Sequence, residues 1–403
     1  MKLMETPMND NLLVENFEPD NAPMRIAVVT ETWPPEVNGV ALTLFKLVEH
    51  LSLKQHTIQL IRLRQDKQDT AREHLGWSEM LMRGMPIPSY PQLKLGLPSK
   101  KALIRAWTQK RPDVVHIATE GPLGWSALQA ARVLRLPVTS DFRTNFHSYS
   151  QHYGVGWFSK PIAAYLRKFH NRTLFTMVPT QSLKNQLQML GFDNLQVVAR
   201  GVDTRLFNPS KRSQNLRAQW LADDACTVLL SVGRLASEKN LDLVINTFYA
   251  LKQSGKRVKL VFAGDGPYRS KLQSHCPEAI FTGMCTQLEL SELYASADLL
   301  LFPSLTETFG NVTLEALACG TPVLAFDCAA ASELIQDAKN GWLVQGEDPQ
   351  RYVLKALSIA QSNKVLGEVR AYAHQSVQHM DWKVIATQME TIFRISVEEN
   401  PSA

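Results

Sequence analysis

Two glutamates, Glu307 and Glu315, stand in a stretch whose residue types suit a ligand that carries both phosphate and hydroxyl groups. The apolar run Leu299–Phe302 precedes them and predicts a buried strand that ends at Pro303. Residues 312–319 predict a helix, because their apolar residues share one face. Carboxylates repel phosphate, so we expect both glutamates to accept hydrogen bonds from hydroxyls, as sugars and ribose provide.

Between the glutamates, Phe309, Gly310 and Asn311 lie at the expected start of that helix. A loop at the carboxyl end of a parallel strand is where open α/β sheets bind ligands, and helix N-termini favour anions. The amides of these three residues would therefore suit phosphate oxygens, with Gly310 allowing close approach. Taken alone, Glu315 is better explained as a glutamate that complements the helix dipole; taken with the whole stretch, it is a ligand residue.

A second loop supplies positive charge. Arg234 and Lys239 follow the predicted strand at residues 227–231 and precede a helix. A planar guanidinium fork and a point-like ammonium both suit a diphosphate. A surface ion pair between Arg234 and Glu238 is the alternative, and it is the poorer account of two cations in one loop. Gly264, in the turn after the next strand, fits close approach of a ligand but is weak evidence alone.

The spacing of Glu307 and Glu315, followed by the run Ala318–Val323, resembles the motif of retaining glycosyltransferases with the GT-B fold. These form the large family 4, or group 1, which includes bacterial mannosyl- and glucosyltransferases and plant sulfolipid synthase. The resemblance covers roughly residues 24–395. It implies an α/β fold class: two Rossmann-like, doubly wound parallel-sheet domains that face a cleft.

Other residues fit the same family pattern in order. Arg234 and Lys239 match the pair that holds the donor diphosphate, and Gly39 matches the glycine of a loop that approaches it from the opposite domain. The family usually places a His-Thr pair where this chain has Arg143-Thr144, and that histidine contacts the donor sugar. Arginine stays protonated and cannot act as a base, although it can donate hydrogen bonds. His147 would share a helical face with Arg143, so whether Arg143 or His147 takes the histidine's role stays open.

At 403 residues the chain exceeds one ordinary core and predicts two domains. We expect a flexible extension over residues 1–22, an acceptor-side domain over 23–205 and a nucleotide-sugar domain over 206–375. By the resemblance, a C-terminal helix within 376–403 crosses back to the first domain. The first residues lack the basic start and apolar core of a secretory signal.

Two regions give weaker secondary-structure signals. The prolines and glycines of residues 65–100 indicate long loops, which in this fold commonly shape acceptor binding. Residues 340–344 indicate a hairpin-like turn and strand. The segment 156–175 is basic and amphipathic, and it either lies on a lipid surface or packs its apolar face on the sheet, with packing favoured.

Charge is uneven along the chain. The net charge is +5, with +8 on residues 1–200 and −3 on residues 201–403. The basic half either attracts anionic partners or serves solubility only. No recognisable nucleic-acid module is present, so nucleic acid is not expected as a partner. The five cysteines lack paired metal-ligand spacing and indicate reduced thiols.

Together with these patterns, the family resemblance implies a retaining hexosyltransferase. The expected donor is a nucleotide-diphosphate sugar, GDP-mannose or a UDP-hexose, and the acceptor a glycolipid, lipid or cell-envelope glycan. No metal and no further cofactor is expected, since no Asp-x-Asp pair occurs. The expected location is cytoplasmic, with an anionic inner membrane face as a candidate surface for the basic domain. The alternative is a catalytically inactive GT-B protein that binds membranes or glycans.

Overall fold

The computed structural model describes six stretches of the chain: residues 22–36, 39–87, 90–142, 159–305, 310–360 and 363–400. The predicted N-terminal extension lies outside these residues, except for its last residue. The described part of the chain forms two large sheets, each with helices packed on its faces.

The first sheet is built before residue 200. Its strands follow the order β10-β9-β8-β7-β1-β2-β4-β3, and only the β3–β4 pairing is antiparallel. A separate antiparallel pair, β5–β6, lies beside it. The strands are β1 (Arg25–Val29), β2 (Thr57–Leu63), β3 (Glu73–His74), β4 (Trp77–Met82), β5 (Gly84–Ile87), β6 (Tyr90–Gly96), β7 (Val114–Ile117), β8 (Val138–Asp141), β9 (Phe175–Val178) and β10 (Leu195–Val197). The helices are α1 (Gly39–Leu53), α2 (Lys100–Gln109), α3 (Pro122–Val133), α4 (Ser159–His170) and α5 (Gln181–Met189).

The second sheet is entirely parallel, in the order β13-β12-β11-β14-β15-β16. Its strands are β11 (Thr227–Val232), β12 (Val258–Ala263), β13 (Ile280–Gly283), β14 (Leu299–Phe302), β15 (Val323–Phe326) and β16 (Gly341–Val344). The remaining helices are α6 (Gln214–Gln219), α7 (Leu241–Gln253), α8 (Arg269–His275), α9 (Gln287–Ser296), α10 (Asn311–Ala318), α11 (Ala329–Leu334), α12 (Pro349–Ile359), α13 (Asn363–Ser376) and α14 (Trp382–Glu398).

The central strands of the second sheet are buried on both faces. Leu299, Leu300 and Leu301 of β14 are at most 1% exposed, although their side chains alternate between faces. Helices cover both faces of a doubly wound sheet, so its inner strands need no polar side. This explains why continuous apolar runs, rather than alternating patterns, marked these strands in the sequence.

The last helix, α14, leaves the second sheet and packs on the first. Met389 and Phe393 are fully buried in the same core as Val28 of β1 and Leu44 of α1. Before α14 begins, the Asp381 carboxylate accepts a 2.8 Å hydrogen bond from the Thr204 hydroxyl. The return of the chain is therefore tied to the segment that first leaves the first sheet.

Two secondary-structure predictions were wrong, although the strand expected within residues 340–344 is present as β16. Residues 73–96 hold four strands instead of long loops, because Trp77–Met82 pairs in parallel register with β2 and so extends the sheet. Residues 341–344 do not form a hairpin: β16 pairs in parallel with β15. The turn before β16 is fixed by Asn340, whose side-chain amide donates to the Leu334 carbonyl at 2.8 Å. In both cases pairing with distant residues decided the outcome.

Candidate functional site

A cavity lies at the carboxyl ends of β11 and β14. After β11 the chain continues to β12, toward one edge of the sheet, whereas after β14 it continues to β15, toward the other edge. Open α/β sheets bind ligands at such a topological switch point. Gly233 has φ +137, and a Cβ there would meet no atom within 4 Å, so this glycine borders open space. The cavity is lined by Ser231, Val232, Gly233, Arg234, Leu235, Lys239, Leu241, Leu301, Phe302, Pro303 and Ser304.

Both predicted cations border this cavity. Lys239 ends a single turn of 3-10 helix, and Asn240 then adopts a left-handed conformation at φ +54 before α7 begins. Arg234 is 68% exposed and pairs with the Glu238 carboxylate. Burial raises the pKa of Glu238, but backbone hydrogen bonding and the charge of Arg234 outweigh it, and the pKa lies below its usual value.

The surface ion pair that was the alternative explanation of Arg234 is therefore present. An exposed pair of this kind contributes at most about 1 kcal/mol. A ligand phosphate can compete for the guanidinium at little cost. The pair and a binding role for Arg234 are compatible, and the role stays a proposal.

Gly264 lies beside the loop that carries Arg234 and Lys239 (the cation loop), and it has a packing role. Its N–H donates to the Gly283 carbonyl at 2.8 Å, and a Cβ added to it would lie 2.0 Å from the Gly233 carbonyl oxygen. Gly264 therefore lets the loop after β12 pack directly on the loop after β11. This supports the cavity wall from behind, and contact between Gly264 and a ligand stays a prediction.

Several predicted site residues lie outside the described part of the chain. These residues are Arg143, His147, Glu307 and Phe309. Their predicted roles stay predictions, and the choice between Arg143 and His147 stays open.

The glycine at the predicted helix start is described. Gly310 is buried and left-handed, with φ +80 and ψ +73, immediately before Asn311 begins α10. A side chain would be strained there, so the sharp entry to α10 requires glycine. Asn311 and Glu315 are four residues apart in α10 and so share one helical face.

Glu315 combines a protein hydrogen bond with access to a second cavity. Its carboxylate accepts a 3.0 Å hydrogen bond from the hydroxyl of Tyr294, a fully buried residue of α9. Burial raises the pKa of Glu315 to about 7, although the Tyr294 hydrogen bond opposes the shift. The second cavity is lined by Leu42, Lys46, Gly201, Val202, Asp203, Phe207, Gln287, Asn311, Glu315 and Trp382.

The same face of α10 carries a contact that the sequence did not reveal. Arg200, 6% exposed, donates a 2.9 Å hydrogen bond from Nη1 to Oδ1 of Asn311. A Cβ on Gly39 would lie 3.1 Å from the same guanidinium nitrogen. Arg200 thus donates to the first residue of α10 and lies close to the first residue of α1. The only sequence signal was its position five residues before the predicted domain boundary at residue 205, and no function had been assigned to it.

The amphipathic segment is described from residue 159 onward, as α4. Leu166 and Phe169 are buried, whereas Ile162 is 46% and Tyr165 41% exposed. Its apolar face is therefore used partly for packing and partly left at the surface. Within the described stretches, no helix is long and apolar enough to cross a membrane, and no cluster of three or more His, Cys, Asp or Glu side chains could hold a metal ion.

Comparison with known proteins yields two family matches in succession. Residues 37–206 match the model of Glycosyltransferase Family 4, and residues 226–362 match that of Glycosyl transferases group 1. The GDP-mannose-dependent alpha-mannosyltransferase of Corynebacterium glutamicum is 32% identical over 371 residues, which span 91% of this chain and 88% of that protein. The alpha-monoglucosyldiacylglycerol synthase of Streptococcus pneumoniae is 29% identical over 83% of this chain and 78% of its own length.

Solved structures support the architecture. Sucrose-phosphate synthase of Thermosynechococcus elongatus superposes with a TM-score of 0.74 at 17% identity, over 92% of this chain and 98% of its own. At that identity the similarity concerns the fold alone. The expected arrangement of two doubly wound parallel-sheet units, the GT-B fold, is confirmed.

Proposed function

The chain belongs to the family 4, or group 1, glycosyltransferases, and from this premise we propose that it transfers a hexosyl group, with retained anomeric configuration, from a nucleotide-diphosphate sugar to a lipid or glycan hydroxyl. The donor is GDP-mannose or a UDP-hexose. GDP-mannose is favoured, because the similarity to GDP-mannose-dependent enzymes extends over nearly the whole chain.

One observation carries the proposal. Arg234 and Lys239 line a cavity at the switch point of the second sheet, beside the strand β14 that leads to Gly310 and α10. When the sugar leaves, negative charge develops on the diphosphate, and fixed positive groups stabilise it. We assign the diphosphate to Arg234, Lys239 and the amides of Phe309 to Asn311. Gly39 approaches it from the first sheet.

The two glutamates serve the hydroxyl groups of the donor. Glu307 holds the transferred sugar, and Glu315, whose carboxylate lines the second cavity, accepts hydrogen bonds from the ribose. Ionised Glu315 is the better acceptor, and ribose donors would lower its pKa from about 7. Gly264 keeps the cation loop in place from behind.

The proposed mechanism uses protein cations where other transferases use a metal ion. The acceptor hydroxyl attacks on the face from which the diphosphate departs, which retains the configuration. The departing phosphate oxygen takes the acceptor proton. Arg143 or His147 contacts the donor sugar near the reacting carbon.

We place the acceptor on the side of the first sheet. One relative is named an alpha-monoglucosyldiacylglycerol synthase, which supports a lipid acceptor for this chain. The net charge of +8 on residues 1–200 and the exposed Ile162 and Tyr165 of α4 would favour the anionic inner face of the cytoplasmic membrane. Binding to phosphatidylglycerol vesicles but not to phosphatidylcholine vesicles would test this surface; equal binding to both would contradict it.

A two-step experiment tests the proposal. A panel of nucleotide sugars is first screened by the shift in thermal unfolding, because a ligand that binds the native state raises the unfolding temperature. The stabilising donor is then incubated with diacylglycerol or glycolipid acceptors, with and without EDTA, and the anomeric configuration of the product is determined by NMR. We expect transfer with retention in both conditions.

Matched variants assign the roles. Lys239→Ala and Glu307→Ala should each lower the transfer rate by roughly a hundredfold or more. Lys339→Ala, an exposed lysine in a loop of the second sheet, should leave the rate unchanged. Donor binding without any transfer would favour the inactive-protein alternative, and loss of transfer in EDTA that added Mg²⁺ restores would exclude the metal-free mechanism.

A further inference from the structure

Arg200 lies where the two halves of the protein meet. It precedes Gly201 and Val202, which line the second cavity, and its side chain is 6% exposed. Its guanidinium donates to Asn311 of the second half, and a Cβ added to Gly39 in the first half would lie 3.1 Å from the same guanidinium. One buried cation therefore lies close to both walls of the crevice.

The starts of two helices lie near this guanidinium. Gly39 is the first residue of α1, and Asn311 is the first residue of α10. Helix N-termini carry partial positive charge and favour anions. An anion bound at this point would interact favourably with the guanidinium and with both helix ends.

We propose that Arg200 is a third cation of the donor site and binds the outer phosphate of the nucleoside diphosphate from the side opposite Arg234 and Lys239. The inference rests on the proposed function, since it takes the diphosphate as the anion. A guanidinium presents five N–H donors in a planar fork, so it can hold Asn311 and a phosphate oxygen together. Diphosphate binding then draws the starts of α1 and α10 toward one charge.

The test compares affinities for GDP and GMP, with UDP and UMP in parallel, by calorimetry at one ionic strength. The ratio of diphosphate to monophosphate affinity isolates the outer phosphate. Arg200→Gln should lower this ratio by roughly tenfold to a hundredfold, as expected for a hydrogen bond to a charged group. Arg205→Gln, an exposed arginine of the same segment, should leave the ratio unchanged.

Two further variants separate phosphate binding from packing. Arg200→Lys keeps the positive charge but loses the planar fork of N–H donors, so it should also lower the affinity ratio. Because the charge is kept, this variant serves as the test if Arg200→Gln fails to fold. Asn311→Ala removes the amide contact; if Arg200 acted only by holding Asn311, this variant and Arg200→Gln would have equal effects, and their combination would add nothing. We expect the double variant Arg200→Gln/Asn311→Ala to have a lower ratio of diphosphate to monophosphate affinity than Asn311→Ala alone.

The outcomes are distinguishable. An unchanged ratio in both Arg200 variants, while Lys239→Ala lowers it, overturns the role of Arg200 and leaves the proposed function intact. A wild-type protein that binds GDP no better than GMP, and UDP no better than UMP, overturns the proposed function itself and this inference with it.

Discussion

The hydroxyl of Tyr294 donates a 3.0 Å hydrogen bond to the carboxylate of Glu315, which lines the same cavity as Asn311. Burial of Glu315 disfavours its ionised form, whereas the tyrosine hydrogen bond favours it. The pKa of about 7 that results places the titration of Glu315 in an accessible pH range. This pair and other contacts of the fold lead to five predictions.

The first prediction concerns the pH dependence of nucleotide binding. If ribose hydroxyls donate to ionised Glu315, the affinity for GDP-mannose or a UDP-hexose should rise between about pH 6 and about pH 8, approaching tenfold per pH unit below the pKa. The diphosphate of a nucleotide sugar has no group that titrates in this range, and calorimetric titration measures the effect. The affinity of Glu315→Gln should not vary with pH, and neither should the affinity of the wild-type protein for the same nucleotide sugar with a 2′,3′-dideoxyribose. A sloped profile in Glu315→Gln would contradict the assignment.

Removing the tyrosine hydroxyl should move that profile. Tyr294→Phe deletes the hydrogen bond that lowers the pKa of Glu315, so the carboxylate should ionise at a higher pH. The midpoint of the affinity profile should therefore shift upward. Calorimetry over the same pH range measures the midpoint, and a shift to lower pH would show that the hydrogen bond does not favour the ionised carboxylate.

Glu315 should also make stability fall as pH rises. In the unfolded chain a glutamate ionises near its usual pKa of 4.5, whereas in the folded protein Glu315 holds its proton until about pH 7. The stability present below the unfolded pKa is thus lost progressively up to the folded pKa. Glu315→Gln should therefore gain about 1–3 kcal/mol over wild type at about pH 8, and less at about pH 5.

Urea denaturation at the two pH values measures this difference. Glu347→Gln is the matched control, because Glu347 is exposed and should give the same difference from wild type at both pH values. Equal gains for Glu315→Gln at both pH values would mean that burial does not raise the pKa of Glu315.

Two glycine-to-alanine substitutions, at Gly264 and Gly255, separate the effect of close packing from the effect of backbone strain on stability. Gly264→Ala places a Cβ 2.0 Å from the Gly233 carbonyl oxygen, so the cavity wall must shift, and we expect a loss of more than about 3 kcal/mol with weaker nucleotide binding. Gly255 also has a positive φ, +83, but a Cβ there meets nothing within 4 Å. Gly255→Ala should cost only about 1 kcal/mol, with binding unchanged. Chemical denaturation and calorimetry measure both; similar losses would show that strain alone matters.

The last helix should stabilise the first sheet. Phe393 of α14 is fully buried among residues of β1 and α1, so Phe393→Ala should lower the free energy of unfolding by about 3–5 kcal/mol. Val384, at 50% exposure on the same helix, is the control, and Val384→Ala should cost less than about 1 kcal/mol. Hydrogen exchange of the amides of β1 should increase in Phe393→Ala only. Unchanged exchange there would mean that α14 is not part of that core.

The sequence alone determined the family and the fold class. Central strands such as Leu299–Phe302 were continuous apolar runs, since helices cover both faces of a parallel sheet. Gly310 was expected next to the start of a helix, where α10 begins, and the spacing of Glu307 and Glu315 carried the resemblance that the family matches confirm. These features depend on local backbone chemistry or on residue spacing, which a sequence states directly.

Only the tertiary structure decided which distant residues meet. The pairing of β4 with β2 made strands of a region rich in proline, and the parallel pairing of β16 replaced an expected hairpin. The contact of Arg200 with Asn311 joins residues 111 positions apart. The pKa of Glu315 depends on burial beneath α9 and on Tyr294. Burial, pairing and electrostatics depend on distances in space, and positions along a chain do not specify them.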